Sequence, residues 1–330
     1  NLQANGNGGG GVRVRVEGGE SGVMLGMGGI SANGNTGLNG DFNDGINAVL
    51  TSDEGPSDAF IGWVAANGNA GAGVTVRSET EEDAGVMIVN ATANGNGGAG
   101  VRASVTSRLE SIDVFLGGIN ANGNSNRNVA VIGYAGTNTA RVGLMNIQAN
   151  GSESGPGVYV DVASPNGSVQ FGAGSNMYGF LFGPDITELV EDGGIDANGN
   201  DDHGMIVNLS ARDGVLFAIN DVSVNGNGGD GLHVEALSTE SAVEGTVGNV
   251  DANGNRRDGV DVYAFGGGAG LYSSLYVSNT TANGNASGVK LEVVGASGSA
   301  GITASSISAN GNTNGNGLAM RVAGLGAAGT

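Results

Sequence analysis

The phrase Ala-Asn-Gly-Asn constrains this chain more than any other feature. It stands first at Ala4-Asn5-Gly6-Asn7 and returns along the whole length. The first Asn of each Asn-Gly anchor that opens a repeat falls at Asn5, Asn33, Asn67, Asn94, Asn122, Asn150, Asn198, Asn225, Asn253, Asn283 and Asn310. The gaps between them are 28, 34, 27, 28, 28, 48, 27, 28, 30 and 27 residues. Seven of the ten gaps are 27 or 28, which marks a stack of repeats.

Between anchors the layout repeats as well. A Gly precedes an alternating run at Gly11-Val12-Arg13-Val14-Arg15-Val16, Gly73-Val74-Thr75-Val76-Arg77, Gly157-Val158-Tyr159-Val160-Asp161-Val162 and Gly259-Val260-Asp261-Val262-Tyr263. Such alternation is the signature of a strand. A polar loop and a second extended run follow, as in Ser238 to Ser241 and Ala242 to Val247. Asn-Gly also favours hairpins, but a meander needs turns of similar chemistry roughly every 8–12 residues. Here one turn type recurs once per lap, with two or three extended runs between. The expected fold is therefore all-β, a parallel β-helix (β-solenoid) of about 11–12 coils of roughly 28 residues. The whole of 1–330 is expected to form one such domain. Coils stacked about 4.8 Å apart make a rod of roughly 55 Å. The anchor asparagines are expected to form a side-chain amide ladder up the turn. Val12, Val74, Val101, Val158, Val260 and Val289 are expected to stack inward as a narrow core poor in aromatics.

The Asn-Gly-Asn turn, the Gly-Val-x-Val run and the second strand resemble the right-handed parallel β-helix of the pectate-lyase-like superfamily. The resemblance covers the whole chain at the level of repeat pattern. It implies the fold and leaves the activity open, because that superfamily holds lyases, hydrolases, tailspikes, adhesins and structural rods. The superfamily's lyase and hydrolase signatures are not recognisable in this chain.

Composition narrows the function. The 32 acidic and 12 basic residues leave a net charge of −20, which argues against nucleic acid as a partner. Lys290 is the sole lysine. The absence of Cys removes disulfides, zinc–thiolate sites and thiol nucleophiles. No apolar stretch approaches 18 residues, so no membrane span is expected. The Gly-rich runs are not followed by Gly-Lys-Ser/Thr, which excludes a nucleotide loop.

Two laps depart from the period. The lap from Asn33 to Asn67 is about six residues long in excess, with an insertion expected near 39–60. It holds Asp41, Asp44, the polar segment Thr51 to Asp58 and the single Trp63. The lap from Asn150 to Asn198 is about twenty residues long in excess, with an insertion expected near 170–195. It holds Phe171, Tyr178, Phe180 and Phe182, and Thr187 to Gly193 reads as a short helical turn. Insertions in repeat arrays emerge as surface loops, often on a binding face.

Outward strand positions stack into columns. The nearer column reads Arg13, Thr75, Arg102, Tyr159, Ile206, His233, Asp261 and Lys290. The farther reads Arg15, Arg77, Ser104, Asp161, Asn208, Glu235, Tyr263 and Glu292. His233, Glu235, Asp261 and Lys290, with Tyr263 and Glu292, thus form a patch and are the candidate catalytic residues. Paired carboxylates suit glycoside hydrolysis, and the resemblance adds metal-assisted β-elimination with a nearby Lys. The competing reading is that alternating strands always place charges outside, where opposite charges support pairing. His203 is the only other His, too few for an ordinary zinc site.

The loops after the first strand carry Glu17 and Glu20, then Asp53, Glu54 and Asp58, then Glu79, Glu81, Glu82 and Asp83, then Glu110 and Asp113. Stacked laps place these along one edge. Crowded carboxylates suit Ca²⁺, a hard ion that takes oxygen ligands. The alternative is a solvated acidic edge that keeps rods apart.

No charged caps mark the ends, and Asn1-Leu2-Gln3-Ala4-Asn5 matches the internal Asn146-Ile147-Gln148-Ala149-Asn150. The chain reads as a processed chain or an excerpt, and a second copy placed end to end nearly completes a lap. The expected function is a structural rod, extracellular or at the cell surface. It joins head to tail with itself or forms part of a longer adhesive fibre. The alternative is a carbohydrate-active enzyme or carbohydrate-binding module acting on polysaccharide.

Overall fold

The computed structural model describes residues 1–37, 43–175, 193–296 and 298–324. Each lap lays down two strands, and alternate strands enter the same sheet. Sheet 1 has 11 strands, running from Val12–Gly18 through Ile46–Ser52 and Val74–Thr80 to Leu318–Gly324. Sheet 2 has 12, from the edge pair Leu2–Gln3 and Val23–Ser31 to Ser299–Ser308. Neighbours pair in parallel at each step. The fold is an all-β parallel β-solenoid of about 11 coils, with no helix among the described residues.

Parallel stacking superimposes like on like, so the alternation of one lap builds a continuous core. The column Val74, Val101, Val129, Val158 runs in register up sheet 1 and is fully buried. Leu232, Val260 and Val289 continue it. Each such side chain contributes roughly 1.5–3 kcal/mol on burial. The interior is less free of aromatics than the sequence suggested. Phe171 and Phe217 face each other in register inside sheet 2 and are the largest fully buried side chains. Gly245 makes room for them, since a Cβ there would stand 2.2 Å from the Phe217 ring. Phe171 is thus a core residue of the strand Val169–Gly174 and no part of an insertion.

The long strands of sheet 2 turn a corner. One residue in each adopts positive φ: Gly29, Trp63, Asn90, Gly118, Asn146, Asp221, Asn249, Asn279 and Ser306. Pairing skips that residue, as between Gly28↔Gly62 and Ile30↔Val64. The last two strand residues therefore begin a third face, which ends in the Asn-Gly-Asn turn. The turn glycines hold φ between +60° and +66° in otherwise open space, so their conformation is what requires Gly.

Both asparagines of the phrase form ladders. In the outer ladder the anchor Oδ1 accepts the backbone N–H of the next anchor. Asn33 donates to Asn5 at 2.7 Å, Asn67 to Asn33 at 2.8 Å, and Asn94 to Asn67 at 2.8 Å. The same bond recurs at Asn122, Asn150, Asn198, Asn225, Asn253, Asn283 and Asn310. The inner ladder, which the sequence reading overlooked, uses the second asparagine. Asn35, Asn69, Asn96, Asn124, Asn200, Asn227, Asn255 and Asn285 are all buried. It runs the other way: Asn69 donates both N–H and Nδ2 to Asn96 Oδ1, at 2.9 and 3.0 Å. Buried amides of this kind must be fully paired to be tolerated.

The inner ladder also explains the Gly before each strand of sheet 1. A Cβ on Gly231 would lie 2.5 Å from Gly259 O and 2.7 Å from Asn255 Nδ2. Asn128 stands in that place in one coil.

The two long laps are accommodated at different places. Thr51 to Asp58 belongs to the regular strand–turn–strand, so the extra residues of that lap lie between Asn35 and Gly45. Within that stretch Asp41 lies outside the described residues. In the longer lap Val169–Gly174 pairs with the first part of Ala140–Gln148, and Ile195–Asp196 rejoins its last residues. The extra chain therefore leaves at the corner. Tyr178, Phe180, Phe182 and the segment 187–192 lie outside the described residues.

Candidate functional site

Register on sheet 1 sets His233 opposite Asp261 and Asp261 opposite Lys290. Two residues on, Glu235 faces Tyr263 and Tyr263 faces Glu292. The six patch residues are therefore brought onto one face of three neighbouring coils, because side chains two apart share a face. The columns also include Asn47 and Ala130, and Val49 and Ile132, which the sequence reading left out.

Three further residues complete the patch. Asp230 and Asp258 lie one lap apart just before sheet 1 or at its start, and His203 lies one lap before Asp230. Asp258 donates its backbone N–H to Asp230 Oδ1 at 2.8 Å, across 28 positions. Asp230 donates its backbone N–H to His203 Nδ1 at 3.0 Å, across 27 positions. Those separations equal the lap length, so the signal was present in the sequence. It was missed because columns were drawn only from the alternating strand positions.

The cluster is tight. His233 Nδ1 stands 3.9 Å from Asp230 Oδ2 and 3.6 Å from Asp261 Oδ2. Lys290 Nζ donates to Asp261 Oδ2 at 3.1 Å. His203 stands 3.3 Å from Asp230 Oδ2 through Nδ1 and 3.4 Å from Asp202 through Nε2. The two His rings, the only ones in the chain, lie 6.0 Å apart. Asp230 and Asp261 side chains are only 9% and 13% exposed, so their charges act in a partly dry setting.

These contacts move the titrations. The Asp261 carboxylate, and then the charges of Asp230 and Glu235, raise the His233 imidazole against the opposing effect of burial. At 3.6 Å this is an ion-pair approach rather than a hydrogen bond, and His233 Nδ1 has no hydrogen-bond partner. Burial acts to raise Asp261, but His233 and Lys290 outweigh it and hold the carboxyl below its usual value. Burial raises Asp258, with repulsion from Asp230 and Asp261 and partial relief from Ser287. Burial also raises the Tyr263 hydroxyl, reinforced by Glu292 and Glu235. Arg321 donates to Glu292 Oε1 at 2.7 Å.

The acidic edge is arranged differently. Glu17 pairs with Arg15, Glu79 with Arg77, and Asp113 with Arg141 at 2.7 Å, while Glu81 faces Arg108 at 3.8 Å. Asp53, Glu79 and Glu81 share a small cleft with Arg108. Glu20 and Glu54 sit within the turns 19–22 and 53–56, and the Asp83 carboxylate accepts the Ser111 N–H. Glu82 donates its backbone N–H to Thr80 Oγ1. Among the described residues, the acidic or His side chains whose ligand atoms converge within 4.8 Å are Asp230, His233 and Asp261.

A second concave feature lies outside sheet 2. Met24, Phe60, Met87 and Phe115 line a groove of about 430 Å³ with Asp58 and Asp113 at one side. Trp63 borders it, 54% exposed and 6.2 Å from Phe60. No family model, curated protein or solved structure matches this chain.

Proposed function

We propose that this chain is a structural rod, extracellular or at the cell surface, whose ends accept further coils in register. Copies then join head to tail into a filament or a longer adhesive fibre. The last described coil carries this reading. Leu318 and Met320 are 40% and 54% exposed, in the columns where Val289 and Leu291 are buried. Val12, Val14 and Val16 occupy the same columns at the other edge and are only half-buried. Asn312 Nδ2 is buried without a partner, in the place where earlier rungs donate to the next Oδ1. Each edge thus matches the other in apolar pattern, strand direction and ladder. The net charge of −20 favours growth at the ends over sideways association. A place in the pectate-lyase-like superfamily belongs to the same reading and is supported by the coil period and internal ladders. Negative-stain microscopy and sedimentation across a concentration series test it. Threads that lengthen with concentration are expected, and rods of fixed length at all concentrations refute it. A parallel series in chelator tests calcium at the acidic edge, where loss of threads supports the ion.

A second reading is a carbohydrate-binding face on sheet 2, favoured by Trp63. An exposed indole held at φ 54° is a costly conformation for a bulky residue. It stands beside an apolar groove flanked by carboxylates, the combination that stacks on and hydrogen-bonds a sugar. Polysaccharide depletion that is lost in Trp63→Asn supports it. Equal depletion by the variant, or none by the native chain, removes it.

A further inference from the structure

We propose that Asp230, His233 and Asp261 bind a divalent first-row transition-metal ion, for which zinc is the suitable probe. The three donor atoms already converge from three positions on two adjacent coils. Two of their separations are 3.9 and 3.6 Å, and all lie within 4.8 Å. Tetrahedral zinc, with bonds of about 2.0–2.1 Å, holds its ligands roughly 3.4 Å apart. The donors need to close by only a fraction of an ångström to two-thirds of a bond length.

The second observation is the state of His233. Its Nδ1 is buried, has no hydrogen-bond partner and points between the two carboxylates. A buried nitrogen without a partner is uncommon and costs free energy unless something meets it. A metal ion at the centre of the three donors supplies that partner.

The surroundings fit as well. Asp230 is held by the Asp258 N–H on Oδ1, which leaves Oδ2 directed at the cluster. His203, whose Nδ1 accepts the Asp230 N–H, supports the turn from behind. Such outer contacts orient metal ligands. Two carboxylates and one neutral imidazole bring two negative charges to a doubly charged ion. One nitrogen and two oxygens favour zinc or manganese over calcium, which takes six to eight oxygens.

Lys290 makes the idea sharp. Its ammonium sits 3.1 Å from Asp261 Oδ2, the same oxygen that the ion needs. Lysine and metal therefore compete, and removing the lysine must strengthen metal binding. A merely structural ion pair predicts a loss of stability on removing the lysine and no effect on metal uptake.

Titration calorimetry with zinc chloride on the full chain tests this in three forms: native, His233→Gln and Lys290→Met. Far-UV circular dichroism confirms that each is folded. The native chain is expected to take up one zinc ion with a dissociation constant below about 100 μM. His233→Gln is expected to weaken it at least about tenfold and Lys290→Met to tighten it about threefold or more. The proposal is overturned by any of three results. These are no zinc uptake by the native chain, equal uptake by His233→Gln, or weaker uptake by Lys290→Met. Calcium chloride binding as tightly as zinc also overturns the role given to the imidazole.

Discussion

Asn128 supplies the amide that Ser152 lacks. Every other described coil places Gly before its sheet 1 strand and Asn at the third position of the turn; this junction has Asn128 and Ser152 instead. Asn128 Oδ1 accepts from Asn124 N and Nδ2, at 3.1 and 2.8 Å, and its Nδ2 reaches Asn200 Oδ1 at 3.2 Å. The rung is thus filled from the coil below. Ser152, being small, leaves space for the Asn128 side chain, while its N–H still donates to Asn200 Oδ1 at 2.8 Å.

A double-mutant cycle follows from that exchange. Asn128→Gly leaves the buried Asn124 amide without its acceptor and is expected to cost about 1–3 kcal/mol. Ser152→Asn crowds the same space and is expected to cost a similar amount. The pair Asn128→Gly with Ser152→Asn restores the common arrangement and is expected to recover most of the loss. Denaturant midpoints decide it, and simple additivity of the two losses rejects the account.

Two glycines five residues apart in one turn, Gly226 and Gly231, should respond differently to alanine. At Gly226 the space is open, and only the φ of +65° resists a Cβ, a cost of about 1–2 kcal/mol. At Gly231 the Cβ would meet Gly259 O, Asn255 Nδ2 and Val224 O, all below 3.0 Å. Gly231→Ala should therefore lower the melting temperature well beyond Gly226→Ala. An equal effect at the two sites is incompatible with the close approach of the coils.

Trp63 should behave in the opposite sense. Asn occupies the same corner at Asn90, Asn146, Asn249 and Asn279, all at positive φ. Trp63→Asn removes a poorly tolerated backbone conformation and is expected to stabilise the chain by about 1 kcal/mol, less the lost Phe60 contact. Thermal melting shows whether the sign is right.

Asp58 carries a pH dependence. Burial, followed by repulsion from Asp83 and Asp113, raises its carboxyl above 3.8. A raised folded-state value means that ionisation costs the folded form stability. The penalty is complete above the folded value, shrinks as pH falls through it and is absent below about 3.8. Asp58→Asn is thus expected to raise the melting temperature slightly near pH 7, with the gain fading toward pH 3. A gain that grows on acidification contradicts the assignment.

Much of this architecture was legible because a parallel stack copies its register from lap to lap. The spacing of Asn-Gly pairs fixed which residues superimpose, so the Val74 to Val289 column and the His233–Asp261–Lys290 column could be drawn directly. The corners were hidden because Gly, Trp, Asn, Asp and Ser all occupy them, and no residue type marks the site. Asp230 was hidden for another reason: it precedes its strand, where alternation gives no guide to direction. The inner ladder stood in plain view at Asn35, Asn69 and Asn96. A turn residue is ordinarily solvated, and only the stacked backbone shows why these side chains are enclosed.

The opposed ladders have an electrical consequence. In the outer one the side-chain carbonyl points toward the following coil; in the inner one it points toward the preceding coil. Amide dipoles aligned in a single file would add with every layer, as they do along a helix. Here each layer that carries both asparagines contributes one of either sense, and their axial components oppose each other. The pair of ladders can therefore gain layers without its amide dipoles building up a voltage between the two tips.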